Sequence, residues 1–305
     1  LATPVSVMVG VTKGARQGIL IKNAEALERM KQVDTLIIDK TGTLTEGKPS
    51  VSQLIPFANY REQVLLPILY GVNKDSEHPL AKATNAYAAQ QGAASLAMTG
   101  FKALAGRGVT ASYEGKNYYF GNDRLMQEVG ATLTEAQRSQ VSEVQHKGQT
   151  LSFLAIEKEV IAAVAIADKV KDTAAEAIKA LQARGITVVM LTGDNPTTAQ
   201  AVAEQIGLTH YKAAMLPQDK QQEVQRLQAE GKVVAITGDG INDAPALAQA
   251  HVGIAMGTGT DIAIESGQIT LVKGDLSGIV KARALSEAVV KNIRENMFFA
   301  LIYNT

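Results

Sequence analysis

The stretch that decides the fold is TLIIDKTGTLT, residues 35–45. Its first four residues form a short apolar run rich in β-branched side chains, which predicts a buried strand that ends at Asp39. In open parallel α/β sheets, ligands bind beside such strand ends. A carboxylate in this place can attack phosphorus and carry a phosphoryl group as an aspartyl-phosphate. The alternative is that Asp39 only caps a turn.

Two further apolar runs end in similar polar sequences. VVML, residues 188–191, leads into TGD at 192–194, and VVAI, residues 233–236, leads into TGDGIND at 237–243. Between them, LPQDK at 216–220 opens a helical pattern with a lysine in its first turn. The helix dipole disfavours a lysine there unless an anion neutralises it. We therefore expect three strand ends and one helix start to converge on a phosphate and a metal ion.

Length and composition describe an ordinary globular chain. Its 305 residues are enough for two domains with cores of normal size. Lys+Arg and Asp+Glu both number 30, so no excess of positive charge indicates nucleic-acid binding. Cysteine is absent, which excludes disulfides and thiolate metal sites within these residues and fits a reducing compartment.

Apolar runs at the two ends leave two interpretations open. No run reaches the length of a bilayer-spanning helix, but short apolar runs cover residues 5–11 and 297–303. These are either amphipathic ends packed on a domain or membrane helices that have been cut. The sequence has no signal-peptide pattern and no start methionine, which favours an excised segment.

Four motifs together resemble a known family. DKTGTLT at 39–45, TGDNP at 192–196, PQDK at 217–220 and TGDGINDAP at 237–245 follow one another in this order. They resemble the phosphorylation domain of P-type ATPases, which are members of the haloacid-dehalogenase-like superfamily, and the resemblance covers essentially the whole chain. It implies a Rossmann-like parallel α/β sheet domain with an inserted nucleotide-binding domain, itself an α+β fold with an antiparallel sheet.

The pattern of elements agrees with such an insertion. Short strands separated by hairpin turns at 114–116 and 157–159 predict an antiparallel sheet after Pro49, whereas strands and helices alternate from Asp168 onward. Residues 19–30 predict a helix. We expect a phosphorylation domain in two parts, 31–47 and 167–285, a nucleotide-binding domain at 48–166, and membrane-proximal segments at 1–30 and 286–305.

The resemblance also implies roles for single residues. Asp39 would be the nucleophile, and Mg²⁺ would be held by Asp39, the Thr41 carbonyl, Asp239 and Asp243, since this ion prefers oxygen ligands. Lys220 and the Thr192 hydroxyl would hold the transferred phosphoryl group, and Asn242 would orient the network. For Asp194, a contact at this site and an N-cap of the next helix are equally good expectations. Thr43 and Asp261 are weaker candidates.

Position 41 separates transport from simple hydrolysis. Soluble phosphatases of this superfamily carry a second aspartate two residues after the nucleophile, which acts as general acid and base. Thr41 stands there and cannot do this at neutral pH, so the acyl-phosphate should persist. This favours an ATP-hydrolysing pump over a soluble phosphohydrolase, which stays the alternative. A regulatory nucleotide-binding module without chemistry is a third hypothesis, and the intact acidic residues and Lys220 disfavour it.

Nucleotide binding is predicted from three short motifs, because no GxxxxGK[ST] loop occurs. SEHP at 76–79, GRG at 106–108 and GN at 121–122 resemble the ATP-binding signature of heavy-metal P-type ATPases. The residues implied are Glu77, His78, Gly106, Gly108, Gly121 and Asn122. Taken alone, His78 is a helix-cap neighbour and the glycines form turns. Asn73 stands where many relatives carry glutamate, so either the affinity or the nucleotide preference is expected to differ, and Asn73 is a further candidate contact.

The expected whole is a heavy-metal exporting ATPase. ALIYN at 300–304 is similar to the start of a membrane helix of copper exporters, whereas MGTGTD at 256–261 and the first ten residues resemble segments of heavy-metal P-type ATPases in general. The expectation that the transported ion is copper, with zinc or silver as alternatives, depends on this analogy. The Cys-Pro-Cys and Thr-Gly-Glu motifs of the family are absent here. The implied partners are ATP, the transmembrane and actuator domains, and a transported ion that binds outside these residues. The implied location of the chain is the cytoplasmic face of the cell membrane.

Overall fold

The chain folds into two units, seen in a computed structural model that describes residues 2–303. The parallel-sheet unit contains residues up to Glu46, Val170–Thr192 and residues from Ala203 on. The antiparallel-sheet unit contains Gly47–Lys169 and Gly193–Val202. The chain thus enters the antiparallel-sheet unit at 46/47 and leaves its main part at 169/170, close to the predicted boundaries 47/48 and 166/167. The functional assignment of the two units stays a prediction.

The parallel-sheet unit holds seven strands with helices between them. In chain order these are α1 (Ala2–Arg16), β1 (Ile19–Ile21), α2 (Ala24–Met30), β2 (Thr35–Asp39), α7 (Ala174–Ala183), β9 (Thr187–Leu191), β10 (His210–Lys212), α9 (Pro217–Ala229), β11 (Val234–Gly238), α10 (Ala244–Gln249), β12 (Val252–Met256), α11 (Asp261–Ser266), β13 (Ile269–Leu271) and α12 (Ser277–Tyr303). The antiparallel-sheet unit supplies β3 (Ser50–Pro56), α3 (Glu62–Asn73), α4 (Pro79–Gln90), β4 (Thr99–Leu104), β5 (Gly108–Tyr113), β6 (Lys116–Gly121), α5 (Asp123–Glu128), α6 (Glu135–His146), β7 (Thr150–Ile156) and β8 (Glu159–Ala167). The first residues of α8 (Pro196–Gln205), up to Val202, also belong to it.

Strand β2 lies inside the first sheet. The strand order is β1-β13-β12-β11-β2-β9-β10, and β1 is the antiparallel member. Every residue of β2 is buried, as are all residues of β11 and β12. Continuous apolar runs of this kind form parallel strands covered on both faces. Ile37 packs with Val224 and Leu227 of α9 and with Leu247 of α10, which fixes these helices against the sheet.

The second sheet is antiparallel, with the order β3-β8-β7-β6-β5-β4. Residues of β7 and β8 alternate between two apolar clusters, so both faces of the sheet are covered. Helices α3 and α4 contribute to one cluster, and α5 and α6 contribute to the other. The expected α/β fold, with an inserted antiparallel α+β domain, is confirmed.

One predicted helix was wrong. Residues 19–30 do not form a single helix, because Ile19–Ile21 pairs with β13 as an edge strand. The helix starts only after Asn23, whose side chain accepts a hydrogen bond from the Ala26 N–H at 2.7 Å and so caps it. Ala24, Leu27 and Met30, whose spacing predicted the helix, do lie in α2, but the helix begins after Asn23 and does not include residues 19–21.

The two end helices pack against each other. The Ser6 hydroxyl donates to Asn292 at 2.7 Å, and a Cβ on Gly10 would overlap Val289, so α1 and α12 lie close together. Other apolar side chains of these helices are exposed, among them Met8, Phe298 and Leu301. Within residues 2–303, no helix combines the length and apolarity needed to cross a membrane. Leu1 and Asn304, which belong to the end segments that resemble heavy-metal P-type ATPases, lie outside the described residues.

Candidate phosphorylation and nucleotide sites

The carboxyl ends of three adjacent strands bring the predicted residues together. In the register of the sheet, Asp39 of β2 lies opposite Leu191 of β9, and Thr237 of β11 lies opposite Ile38. Thr192 and Asp239, which directly follow β9 and β11, therefore flank Asp39 at the same edge. This is the edge where parallel α/β sheets bind their ligands.

Lys220 enters this edge from the first turn of α9. Its ammonium donates to Asp39 Oδ1 at 2.8 Å and to Asp243 Oδ1 at 2.7 Å. The helix start is fixed by Pro217 and by Asp219, which accepts the Leu216 N–H at 2.7 Å. Two carboxylates therefore provide the negative charge that a lysine at a helix N-terminus requires.

Three carboxylates surround one point. Oxygen atoms of Asp39, Asp239 and Asp243 all lie within 4.8 Å of one another, and Asp243 is 2% exposed. The second oxygen of Asp243 accepts the backbone N–H groups of Asp239 and Gly240 at 3.2 and 3.1 Å. The Asp243 carboxylate is thus held rigidly. Together the three carboxylates offer the hard oxygen ligands that Mg²⁺ prefers.

The site lacks positive charge for its three carboxylates. Burial raises the pKa of Asp39 from 3.8 to about 7, and Asp243 and Asp239 add to the rise against the effect of Lys220. Burial and Asp243 likewise raise the pKa of Asp239 to about 6, although Lys220 and Lys171 oppose this. Burial disfavours the charged form of Lys220, but Asp39 and Asp243 outweigh it and raise its pKa. Because the pKa values of Asp39 and Asp239 stay raised despite the nearby lysines, a bound divalent cation fits this site.

The loop after Asp39 depends on Gly42. This residue has φ +74°, and a Cβ on it would overlap the carboxylate of Asp239. Its N–H donates to the Thr45 hydroxyl at 3.1 Å, and its carbonyl accepts the Lys171 ammonium at 2.9 Å. The loop therefore passes as close to Asp239 as a residue without a side chain allows.

The remaining predicted residues lie around this loop. Thr192 is buried, and its backbone bonds to Lys212 and Met215. Thr41 is exposed in the loop itself, and Asn242 is exposed in the turn that contains Asp243. Their roles toward a phosphoryl group stay predictions.

Two threonines of the same loops have buried hydroxyls. Thr43 and Thr237 are fully buried, and their side-chain oxygens have no hydrogen-bond partner among the described residues. Thr43 was a candidate on sequence grounds, whereas Thr237 was missed, although it begins the second TGD triplet. Sequence reasoning also missed Lys171, which follows the inserted unit directly along the chain.

Asp194 does not provide the cap expected as one of its roles. The Thr198 N–H donates at 3.0 Å to Asn195, which therefore caps α8. Asp194 instead accepts the Thr150 hydroxyl at 2.9 Å, within the antiparallel-sheet unit.

Four of the predicted nucleotide contacts meet where β5 begins and β6 ends. Gly108 pairs with Gly121, and a Cβ on either residue would overlap the facing backbone. The Asn122 amide donates to the Gly106 carbonyl at 2.9 Å, while its oxygen accepts the Leu125 N–H at 3.1 Å and caps α5. Backbone packing alone thus explains the need for glycine at positions 108 and 121.

The other two contacts lie at the start of α4. The His78 ring nitrogen Nδ1 accepts the Leu80 N–H at 3.2 Å, so this residue caps the helix. Glu77 is exposed and pairs with Lys82 at 2.6 Å. Asn73, at the end of α3, is fully buried, and its side-chain oxygen has no partner in the described chain.

The raised carboxyl pKa values predict how stability changes with pH. Since Asp39 and Asp239 bind protons more tightly when folded than when unfolded, metal-free protein should lose stability as pH rises from about 5 to 7.5. Asp39→Asn removes one buried charge and leaves Lys220 paired with Asp243. We expect the variant to be about 2 kcal/mol more stable than wild type at pH 7.5, and the advantage to shrink as the pH falls below 7 and to disappear near pH 4. Thermal unfolding of both proteins in EDTA, at pH 7.5 and near pH 4, measures this difference in stability. Added Mg²⁺ should make wild type the more stable of the two at pH 7.5. A constant difference across pH would contradict it.

His78 can be tested by separating its cap from its ring. Asparagine is a good N-cap residue, so His78→Asn keeps the start of α4, whereas His78→Ala removes both functions. If the imidazole contacts nucleotide, both variants should bind ATP about tenfold more weakly in calorimetric titration. Only His78→Ala should unfold earlier. Unchanged ATP affinity in His78→Asn would leave the histidine with capping alone.

Comparisons with known proteins match a family model over most of the chain and individual relatives over all of it. The model of the haloacid dehalogenase-like hydrolase family matches residues 33–251. The chain is 50% identical to the silver exporting P-type ATPase of Salmonella typhimurium, covering 100% of this chain and 37% of that protein. It is 48% identical to the copper-exporting P-type ATPase of Legionella pneumophila, covering 100% of this chain and 41% of that one. It therefore spans about two fifths of the length of these relatives.

A solved structure shows the same two-unit fold. It is the catalytic domain of the CPx-ATPase CopB-B, for which conformational changes upon nucleotide binding are described. The match has a TM-score of 0.73 at 29% identity and covers 90% of this chain and 98% of that one.

Proposed function

Because this chain belongs to the haloacid dehalogenase-like hydrolases, in the branch formed by the catalytic portions of heavy-metal P-type ATPases, we propose that Asp39 accepts the γ-phosphoryl group of ATP. The observation that carries the proposal is the Lys220 ammonium, shared between Asp39 and Asp243 at 2.8 and 2.7 Å. It supplies fixed positive charge beside the nucleophile, which phosphoryl transfer needs.

In this reaction an Asp39 carboxylate oxygen forms a bond to the γ-phosphorus, and the bond from that phosphorus to the bridging oxygen of ADP breaks. Lys220 keeps Asp39 in place and balances the charge of the transferred group, with the Thr192 hydroxyl as a further donor. Asp39, Asp239, Asp243 and the Thr41 carbonyl would hold Mg²⁺, which supplies charge neutralisation when bound. Asn242 would orient these groups.

The product should persist as an aspartyl-phosphate. Rapid hydrolysis needs a general base near the phosphate, and superfamily phosphatases place an aspartate two residues after the nucleophile. Thr41 has no group that titrates near neutral pH. The soluble-phosphohydrolase alternative is therefore disfavoured by the same loop that holds the nucleophile.

Nucleotide would bind to the antiparallel-sheet unit. The exposed Gly106, the half-buried Gly108 and Asn122, and Gly121 beside them, would accept the nucleotide, while Glu77 and His78 would contribute from the start of α4. Support comes from the nucleotide-dependent changes described for the CopB-B catalytic domain.

The wider role we propose is export of a heavy-metal ion, with Cu⁺ ahead of Ag⁺ or Zn²⁺. The relatives above are named as silver and copper exporters. Since the chain spans about two fifths of their length, transmembrane and actuator domains would be the partners, and the transported ion would bind outside the described residues. The site would then work at the cytoplasmic face of the cell membrane.

Labelling with γ-³²P-ATP tests the chemistry. With Mg²⁺, the chain should acquire acid-stable label that hydroxylamine removes, while release of inorganic phosphate stays slow. Fast phosphate release without label would indicate a phosphohydrolase. ATP binding with neither label nor release would indicate a regulatory module.

A further inference from the structure

A second lysine, Lys171, binds the loop that follows the nucleophile. Its backbone N–H donates to the Leu44 carbonyl at 2.9 Å, directly after the bridge that pairs Val170 with Thr45. Its ammonium donates to the Gly42 carbonyl at 2.9 Å and to the Gly274 carbonyl at 2.6 Å. One side chain therefore joins the phosphorylation loop to a distant segment of the chain.

The Gly274 segment leads directly into α12. The Asp275 carboxylate accepts the Thr173 hydroxyl and the Ser277 N–H, both at 2.9 Å, at the first residue of that helix. Helix α12 continues for 27 residues, a length of about 40 Å. The carbonyl that Lys171 binds thus belongs to the turn that fixes the start of the longest helix in the described chain.

We propose that Lys171 is a positioning residue for phosphoryl transfer and that it links the phosphorylation loop to the first turn of α12. The inference rests on the proposed function. This ammonium binds the Gly42 carbonyl, and the same glycine lies against the Asp239 carboxylate. A displacement of the loop by about 1 Å can reduce a reaction about 100-fold, because nucleophile and metal ligands must keep their geometry.

The link works in both directions. A shift of the loop would either break the bond from the shared ammonium to the Gly274 carbonyl or pull that carbonyl along, and a shift of the α12 start would act on Gly42 in the same way. Both carbonyls depend on one charged donor, and hydrogen bonds to charged groups are the strong ones.

Three variants test the proposal. Lys171→Met keeps the length and apolar stem of the side chain but removes the ammonium, and Lys171→Arg restores a charged donor. Lys179→Met removes an exposed lysine of α7 in the same unit and serves as the matched control. Two measurements are made on each protein. These are the rate of aspartyl-phosphate formation across ATP concentrations at saturating Mg²⁺, and hydrogen exchange without nucleotide.

Lys171→Met should phosphorylate about 10- to 100-fold more slowly at saturating ATP, with the half-saturating ATP concentration unchanged. Amides at Gly42 and Thr45 and at Gly278 and Ile279 should lose protection together. Lys171→Arg should recover most of the rate and protection, and Lys179→Met should match wild type. A wild-type rate in Lys171→Met, or faster exchange in only one of the two segments, would overturn the proposal. If wild type takes no label, the proposed function fails, whereas the exchange measurements still decide whether Lys171 makes the link.

Discussion

Substitution of Asp39 by asparagine is expected to lower the hydroxylamine-sensitive label taken from ATP by a factor of about 10³ or more. An amide oxygen is a far weaker nucleophile toward phosphorus than a carboxylate, and no other carboxylate occupies its place at the end of β2. Asp243 accepts two backbone N–H groups and the Lys220 ammonium, so it is held away from attack.

Loss of folding cannot account for this result. The asparagine has the shape of the aspartate, and the variant should be more stable than wild type in the absence of metal, because burial raises the pKa of Asp39 to about 7. ATP affinity should be unchanged, since the predicted nucleotide contacts belong to the other unit.

A matched control lies at the other end of the same strand. Asp34 directly precedes β2 and accepts the Val233 N–H at 3.2 Å. Asp34→Asn keeps an oxygen for this bond and should retain the full label. Equal labelling of Asp39→Asn and wild type would remove Asp39 as the nucleophile.

The sequence predicted the parallel sheet and the convergence of its motifs because each motif follows a buried strand. Apolar runs before Asp39, Thr192 and Thr237 fixed three strands, and parallel strands must present their carboxyl ends at one edge. The approach of Lys220 to both Asp39 and Asp243 needed tertiary structure, since nothing local specifies which of several carboxylates a helix start will meet.

Elements with polar or short sequences were harder to predict. Strand β4 exposes most of its residues, and β1 has only three residues, directly before a segment with helical spacing. The role of Lys171 could not be predicted either, because both of its acceptors are backbone carbonyls, one 129 and one 103 positions away in the chain. Backbone acceptors leave no side-chain signature.

In the antiparallel-sheet unit, the sequence located the motifs but could not assign their roles. His78 and Asn122 both cap helices, and Gly108 and Gly121 contact each other's backbone. Every predicted nucleotide residue thus has a structural contact of its own or accepts one, and for the exposed Glu77 this is the ion pair with Lys82. Binding measurements on cap-preserving variants are therefore needed to separate the two roles.

Gly42→Ala is expected to reduce phosphorylation about 100-fold or more, an effect that comes from one methyl group. The Cβ would overlap the Asp239 carboxylate, so either this carboxylate or the loop that carries Asp39 must move. Movement of Asp239 disrupts the three-carboxylate set that would hold Mg²⁺. Movement of the loop displaces the nucleophile Asp39 and disturbs the bond from Lys171 to the Gly42 carbonyl. The half-saturating Mg²⁺ concentration for labelling should rise as well, which distinguishes this variant from one that loses only nucleotide affinity.

The backbone cost of the alanine can be measured separately. Gly42 has φ +74°, and an alanine in this conformation costs about 1 kcal/mol whatever its surroundings. Gly185, in the same unit, has φ +77°, and a Cβ on it would meet no atom within 4 Å, so Gly185→Ala carries the same backbone cost without the clash. Both variants should therefore unfold a few degrees earlier than wild type, but only Gly42→Ala should lose its label and its Mg²⁺ response. Full labelling of Gly42→Ala would mean that the loop and Asp239 need not approach each other closely for transfer, and the three-carboxylate set could then not be the Mg²⁺ site.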